Sequence, residues 1–195
     1  MTAPERARSA REQELLDAAY AYALTHGLGD MSLRPLAEAI GSSPRVLLYL
    51  FDSKDGLIRA LLARARQDEL AMLSELRDET PDVDLGGAAR RIWDWLSAPE
   101  HRGLLRLWLE AYARSTLETD GPWAGFAQQT VVDWLAQLRS YQPAALRRSA
   151  AGAAQRTAVL AALRGGLLDL LATGDARRTT AALDAQLAAL LGESA

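Results

Sequence analysis

Cysteine is missing from all 195 residues, which removes both a disulfide framework and any thiolate metal site. Histidine is scarce too. His26 and His101 are the only two, so a His/Cys nucleophile pair is excluded, and no second ligand stands at metal-site spacing from His26. His26 falls at a helix C-terminal end, where a cation is favoured, and reads as a cap; His101 follows Glu100 near a helix start, an ordinary setting for exposed polar residues. No phosphate-cradling glycine loop and no zinc-helix motif is found. The chain is therefore expected to be no enzyme and to use no metal and no cofactor. No stretch reaches the roughly 18 consecutive apolar residues of a membrane span, and no charged-then-apolar leader opens the chain, so a soluble cytoplasmic protein is expected. Runs of β-branched residues are absent while Ala, Leu and Arg dominate, so the fold class is all-α. The length suits one or two domains with a real core. Lysine is the last scarcity: Lys54 is the only one among 22 basic residues.

What is present is organised around residues 32–54, SLRPLAEAIGSSPRVLLYLFDSK. Ser32 is a candidate N-cap, Pro35 falls in the first helical turn, and Leu33, Leu36, Ala37 and Ile40 recur at helical spacing. Gly41 stops that helix. Ser43 as N-cap and Pro44 at the first helical position start another, over roughly 44–51. Its Leu47 and Leu50 or Phe51 face inward, leaving Pro44, Arg45, Leu48 and Tyr49 outward. Two short helices joined by a tight glycine turn match a helix-turn-helix, whose second helix enters the DNA major groove. Asp52-Ser53-Lys54-Asp55 then caps a further helix. Its N-terminus, with Lys54 beside it, suits an anion such as a DNA phosphate.

Ile40-Gly41-Ser42-Ser43 followed by Leu47-Leu48-Tyr49-Leu50-Phe51-Asp52-Ser53-Lys54-Asp55-Gly56-Leu57 resembles the DNA-binding signature of the TetR family of transcriptional regulators. Four positions depart from the family pattern. Arg45 stands where that pattern usually has Gly, Val46 where it has Thr, Leu48 where it has Tyr, and Leu50 where it has His. The fold expectation is untouched, but the family's base contacts do not carry over. By resemblance, Arg34 matches a base- or phosphate-contacting position, and Tyr49 and Lys54 match phosphate-contacting positions. The expected DNA face is Arg34, Ser43, Pro44, Arg45, Leu48, Tyr49 and Lys54.

Charge bears on this reading. The net charge is −3, and within residues 1–56 six cations (Arg6, Arg8, Arg11, Arg34, Arg45, Lys54) meet eight acids (Glu5, Glu12, Glu14, Asp17, Asp30, Glu38, Asp52, Asp55). DNA affinity usually rests on a basic surface, so binding here depends on a few placed cations. Residues 1–10, with Arg6 and Arg8, read as a loose arm that either reaches DNA or merely solubilises. Residues 11–26 form a supporting helix with Leu15, Ala18, Ala19, Tyr22 and Ala23 on one stripe, stopped by Gly27.

A long helix over 54–77 follows, with Leu57, Ile58, Leu61, Leu62, Ala65, Leu70, Leu73 and Leu76 as its apolar side. The run Asp78-Glu79-Thr80-Pro81-Asp82 breaks it. Further helices are expected over 84–97, 99–117 and 123–141. All five tryptophans lie between Trp93 and Trp134. Clustered aromatics either line an apolar ligand pocket or fill a core. The ligand-binding candidates are Trp93, Trp108, Tyr112, Phe126, Thr130 and Trp134. Two helices rich in Ala and Leu, over 144–172 and 176–191, close the chain. They carry Leu160, Leu163, Leu167, Leu170, Leu171, Leu183, Leu187, Leu190 and Leu191, with Gly165-Gly166 inside the first. In the family that this chain resembles, the last two helices form the dimer interface, and an internal core is the alternative.

The expected architecture is an N-terminal three-helix helix-turn-helix DNA-binding unit over 1–56 plus a C-terminal helical ligand-binding and dimerisation domain over 57–195. The expected function is a DNA-binding transcriptional regulator, a repressor released by a small hydrophobic ligand. It would act as a homodimer through helices 144–172 and 176–191 on a palindromic double-stranded DNA operator, with no membrane association. Within regulation the alternative is an activator or a regulator without a small ligand. Outside it, the alternative is an all-α ligand-carrying or protein-interaction module without DNA binding.

Overall fold

The computed structural model describes residues 9–78 and 83–192. Arg6 and Arg8 of the N-terminal arm, and residues 79–82 of the expected break, lie outside the described residues. Among those described there is no strand. The elements are α1 (Ala10–His26), α2 (Leu33–Ala39), α3 (Pro44–Phe51), α4 (Lys54–Asp78), α5 (Leu85–Ser97), α6 (Arg102–Leu117), α7 (Phe126–Ser140), α8 (Ala144–Arg147), α9 (Ala150–Thr173) and α10 (Ala176–Leu191), with single 3₁₀ turns at Pro99–His101 and Gly121–Trp123. No described helix is long and apolar enough to cross a membrane.

Two compact units result. The first comprises residues 9–66 with 106–127, and the second 67–105 with 128–192. The first therefore extends past the expected boundary at residue 56 to take in the opening turns of α4 and most of α6.

In the first unit, Ser9 caps α1 by accepting the Glu12 N–H at 3.2 Å. Leu15, Leu16, Ala19, Tyr20 and Ala23 are buried. Tyr20, rather than the expected Tyr22, takes the inward position. Tyr22 instead stacks on His26 at 3.9 Å between ring centroids, and His26 Nδ1 lies 2.9 Å from the Tyr22 carbonyl. The imidazole thus serves the helix end as a cap. Arg64 of α4 pairs with Asp17 of α1 and lies over the Tyr20 ring. The α1–α2 loop is fastened to α6: the Leu28 N–H donates to Glu110 Oε2 at 2.8 Å, and the Leu28 side chain is fully buried. Glu110 is flanked by Arg114 at 3.7 Å, which also pairs with Glu118 at 3.3 Å and covers the Trp123 ring at 5.2 Å. A charge-assisted bond to a backbone amide is roughly twice as strong as a neutral one. A Cβ on Gly29 would sit 2.3 Å from Glu110 Oε1, so a side chain there would push the Glu110 carboxylate aside.

In the second unit, α5 packs against α9 and α10. Trp93 is buried among them; its Nε1–H donates to Thr180 Oγ1 at 2.8 Å, and its ring lies where a Cβ on Gly166 would be 3.1 Å away. Leu163, Leu167, Leu170, Leu183 and Leu187 are all buried within the chain. Buried Gln142 donates to the Gly152 carbonyl at 2.9 Å and accepts from Arg156 at 3.1 Å. At the α9–α10 turn, Arg178 grips Asp169 through two bonds of 2.7 Å, and these hold the Asp169 carboxyl below its ordinary range.

The single helix expected over 144–172 is two helices. Ser149 accepts the Gly152 N–H at 2.9 Å and so starts α9 afresh after the single turn of α8. Gly152 permits the break, since a Cβ there would lie 2.0 Å from the Leu146 carbonyl oxygen. In an ordinary helix, replacing Gly by Ala gains about 0.5–1 kcal/mol. Here Gly152→Ala is expected to lower stability by about 1–3 kcal/mol through overpacking, read as a lower midpoint in chemical denaturation.

Candidate nucleic-acid interface

The site is built from α2, α3 and the first turn of α4. Ser32 stands at the N-cap of α2 but makes no side-chain capping bond. At α3, Ser43 Oγ accepts the Val46 N–H at 3.3 Å and Pro44 occupies the first turn, as expected. Leu47 and Phe51, one turn apart, are buried at 1% and 5% exposure and anchor the inner face. At about 100° per residue, the opposite arc carries Leu48, Arg45, Tyr49 and Val46 in that angular order. Tyr49 is 83% exposed, Leu48 43% and Val46 38%, and Arg45 is exposed as well. Val46 is the residue of this arc that the expected set omits, although the same helical projection contains it. Arg34 on α2 and Lys54 on α4 are exposed, and Ser43 and Pro44 are half-buried.

The exit from α3 is a corner. Asp52 has φ +64° and ψ −33°, and the Ser53 N–H donates to the Phe51 carbonyl at 2.7 Å, closing a three-residue turn. Ser53 Oγ then accepts the Gly56 N–H at 2.9 Å and caps α4. Gly56 is required by close approach: a Cβ there would lie 1.9 Å from the same Phe51 carbonyl oxygen. Exposed Lys54 therefore stands at the start of a helix whose N-terminal end favours an anion, a combination suited to phosphate.

Residues 15–61 match the sequence profile described as bacterial regulatory proteins, tetR family. That match covers the helix-turn-helix part of the chain, α2, α3 and the start of α4 with most of α1. The whole chain follows the fold of TetR-family regulators. A transcriptional regulator from Rhodococcus sp. Rha1 superposes with a TM-score of 0.73 at 20% identity, over 93% of this chain and 96% of that one. A TetR transcriptional regulator from Legionella pneumophila gives 0.68 at 15%, over 93% and 97%. The multidrug binding protein EbrR complexed with proflavin gives 0.62 at 23%, over 90% and 99%. At these identities the likeness is one of fold. Among curated proteins, none matches the chain in sequence. The protein is a DNA-binding transcriptional regulator.

The six ligand-binding candidates divide three and three between the units. In the first unit, Trp108 and Tyr112 lie one turn apart on α6 with centroids 5.0 Å apart, and Phe126 is buried at the start of α7. In the second, Trp134 donates its indole N–H to Glu69 of α4, Thr130 lies fully buried one turn earlier on α7, and Trp93 is engaged with Thr180 and Gly166. Glu69, a carboxylate, is only 9% exposed. Nothing in the spacing of α4 singles it out; its burial follows from the approach of Trp134.

Lys54→Ala is expected to weaken binding to every duplex sequence about equally and to reduce the slope of log K against log salt by about 1. Electrophoretic mobility shifts at several salt concentrations read both effects.

Proposed function

We propose that this regulator is a homodimeric repressor that occupies a palindromic operator and leaves it when a hydrophobic small molecule binds. The outward arc of α3 carries the DNA part of the reading. Arg45 is its one long hydrogen-bond donor at the centre of the arc, able to meet guanine O6 and N7 for about 1–3 kcal/mol of base discrimination. Tyr49, Lys54 and Ser43 hold phosphates, Pro44 and Leu48 meet base edges, and Arg34 reaches the groove or its phosphates from α2.

The dimer reading is supported by a second stripe on α9. Ala154, Ala161, Gly165, Leu168 and Ala172 are exposed and recur at helical spacing on the side opposite the buried leucines. Leu168 is 47% exposed, and on α10 Leu190 is 41% exposed. A Cβ on Gly165 meets nothing within 4 Å, which leaves room for close approach of a second copy. Of the two readings open for Leu163 and Leu187, their burial within the chain supports the internal core, and the proposed seam lies at Gly165 and Leu168 of α9 and Leu190 of α10.

The ligand reading is supported by the aromatic side chains of each unit. α4 runs unbroken from Lys54 to Asp78 and contributes to both units, so it is the continuous path by which a ligand-induced tilt would reach α3. A ligand releases the operator only by binding the DNA-incompetent form more tightly. In one titration, hydrophobic aromatic compounds are added to the regulator–operator complex while Trp fluorescence and operator affinity are followed together. Quenching accompanied by a rise of tenfold or more in operator Kd is expected. Quenching with constant operator affinity would sink the coupling, and Trp134→Phe and Trp108→Phe assign the signal to one unit or the other.

For assembly, sedimentation at micromolar concentration is expected to give a dimer for the wild type. Leu168→Glu should give a folded monomer, and Leu163→Glu an unfolded or aggregated chain, because a lone buried charge costs several kcal/mol.

A further inference from the structure

We infer that this regulator reads thymine methyl groups on both sides of a single guanine, so that its half-site is a G·C pair bracketed by A·T pairs. The inference rests on the DNA-reading role of α3 and adds the chemistry that it recognises. On the outward arc Arg45 and Tyr49 lie between two aliphatic side chains, Leu48 at 43% exposure on one side and Val46 at 38% on the other; with Tyr49 on a phosphate, Arg45 is the base donor between them. The flanks are not spare core. Leu47 and Phe51 already fill the inner face, and the Val46 backbone N–H is occupied by Ser43 Oγ at 3.3 Å. Each is an apolar group left in water on a helix whose partner is the major groove. In that groove every base edge offers hydrogen-bonding atoms, and thymine adds the one apolar feature, its C5 methyl.

Neither Val46 nor Leu48 can donate or accept, so neither distinguishes A, G or C by hydrogen bonding. What each gains from a base is burial of a methyl against a methyl. The reach also fits. Eight residues at 1.5 Å each make α3 about 12 Å long, which spans roughly three to four base pairs at 3.4 Å apiece. Along the axis Val46 and Leu48 lie only about 1.5 and 4.5 Å beyond Arg45, so all three side chains address neighbouring base pairs. An arc with a single cation and two aliphatic flanks suits a chain whose net charge is −3 and which has few cations to spend on phosphates.

The test starts from the full-length protein and a pool of random duplexes. Bound sequences are enriched over several rounds, and the consensus duplex is resynthesised with deoxyuridine replacing each thymine in turn. Uracil keeps the pairing and the backbone and removes only the methyl. The expected consensus has thymines within two base pairs on either side of a guanine, on either strand, and uracil there weakens binding about fourfold per contact, as suits one buried methyl. In Leu48→Ala the loss on one flank falls toward onefold while the other persists, and Val46→Ala shows the reverse. Both positions are exposed, and each variant supplies its own thymine-to-uracil ratio, so a general loss of affinity does not blur the result. A consensus without flanking thymines, uracil duplexes bound within twofold of the parent, or a methyl effect unchanged in both variants would each overturn the inference while leaving base reading by α3 intact. Failure of any sequence to enrich would overturn that reading as well.

Discussion

The carbonyl oxygen of Phe51 is the point on which the DNA-binding unit turns. It accepts the Ser53 N–H across a three-residue turn at 2.7 Å, and it lies where any side chain on Gly56 would collide with it. The corner forces Asp52 to φ +64°, a conformation that costs a non-glycine residue of order 1–3 kcal/mol. The burial of Phe51 and Leu47 on one side and Leu57 and Ile58 on the other offsets that cost. The turn bond, the close packing at Gly56 and the buried side chains on both sides tie the outward arc of α3 to the Lys54 end of α4. A reading helix on a loose hinge would lose orientation entropy on every encounter with DNA; this one is preorganised.

Apolar burial is non-directional and cannot by itself say which faces meet. In both units a few long-range polar bonds supply the direction. Glu110 takes the Leu28 amide in the first. Thr180 takes the Trp93 indole, Glu69 takes that of Trp134, and Gln142 ties α9 to the end of α7 in the second. Each leaves a buried donor stranded if the packing slips, at a penalty of about 1–3 kcal/mol. Such penalties select one arrangement among the many in which leucine stripes could interlock. Some acids of the first unit are paired as well: Asp17 engages Arg64, and Glu110 and Glu118 engage Arg114. Those acids are spoken for inside the unit, while Arg34, Arg45 and Lys54 remain exposed.

The double glycine of α9 shows how adjacent identical residues come to differ. Gly166 faces inward and receives the Trp93 ring, whereas a side chain on Gly165 would meet open space. One glycine lets the unit close on its own tryptophan. The other lies on the exposed small-residue stripe that is the proposed seam between copies.

Much of this was legible in the chain. Capping serines and aspartate, Pro44 at a helix start and the glycine stops are local signals, read from residues within one turn of each other. They locate Ser43 and Ser53 as caps, α3 over Pro44–Phe51, and the all-α class. Periodicity likewise separated the inner from the outer face of α3, because a helix that short has only one core to face. Tertiary structure alone decided the rest. Leu163 and Leu187 belong to the core rather than to a seam, Tyr20 rather than Tyr22 turns inward, and the helix expected over 144–172 breaks at Ser149. It is likewise the fold that buries Glu69 and requires glycine at positions 56 and 152. The reason is physical: a stripe of apolar residues specifies that a face is covered, but what covers it, and how closely a distant carbonyl or ring approaches, depends on residues far away in the chain.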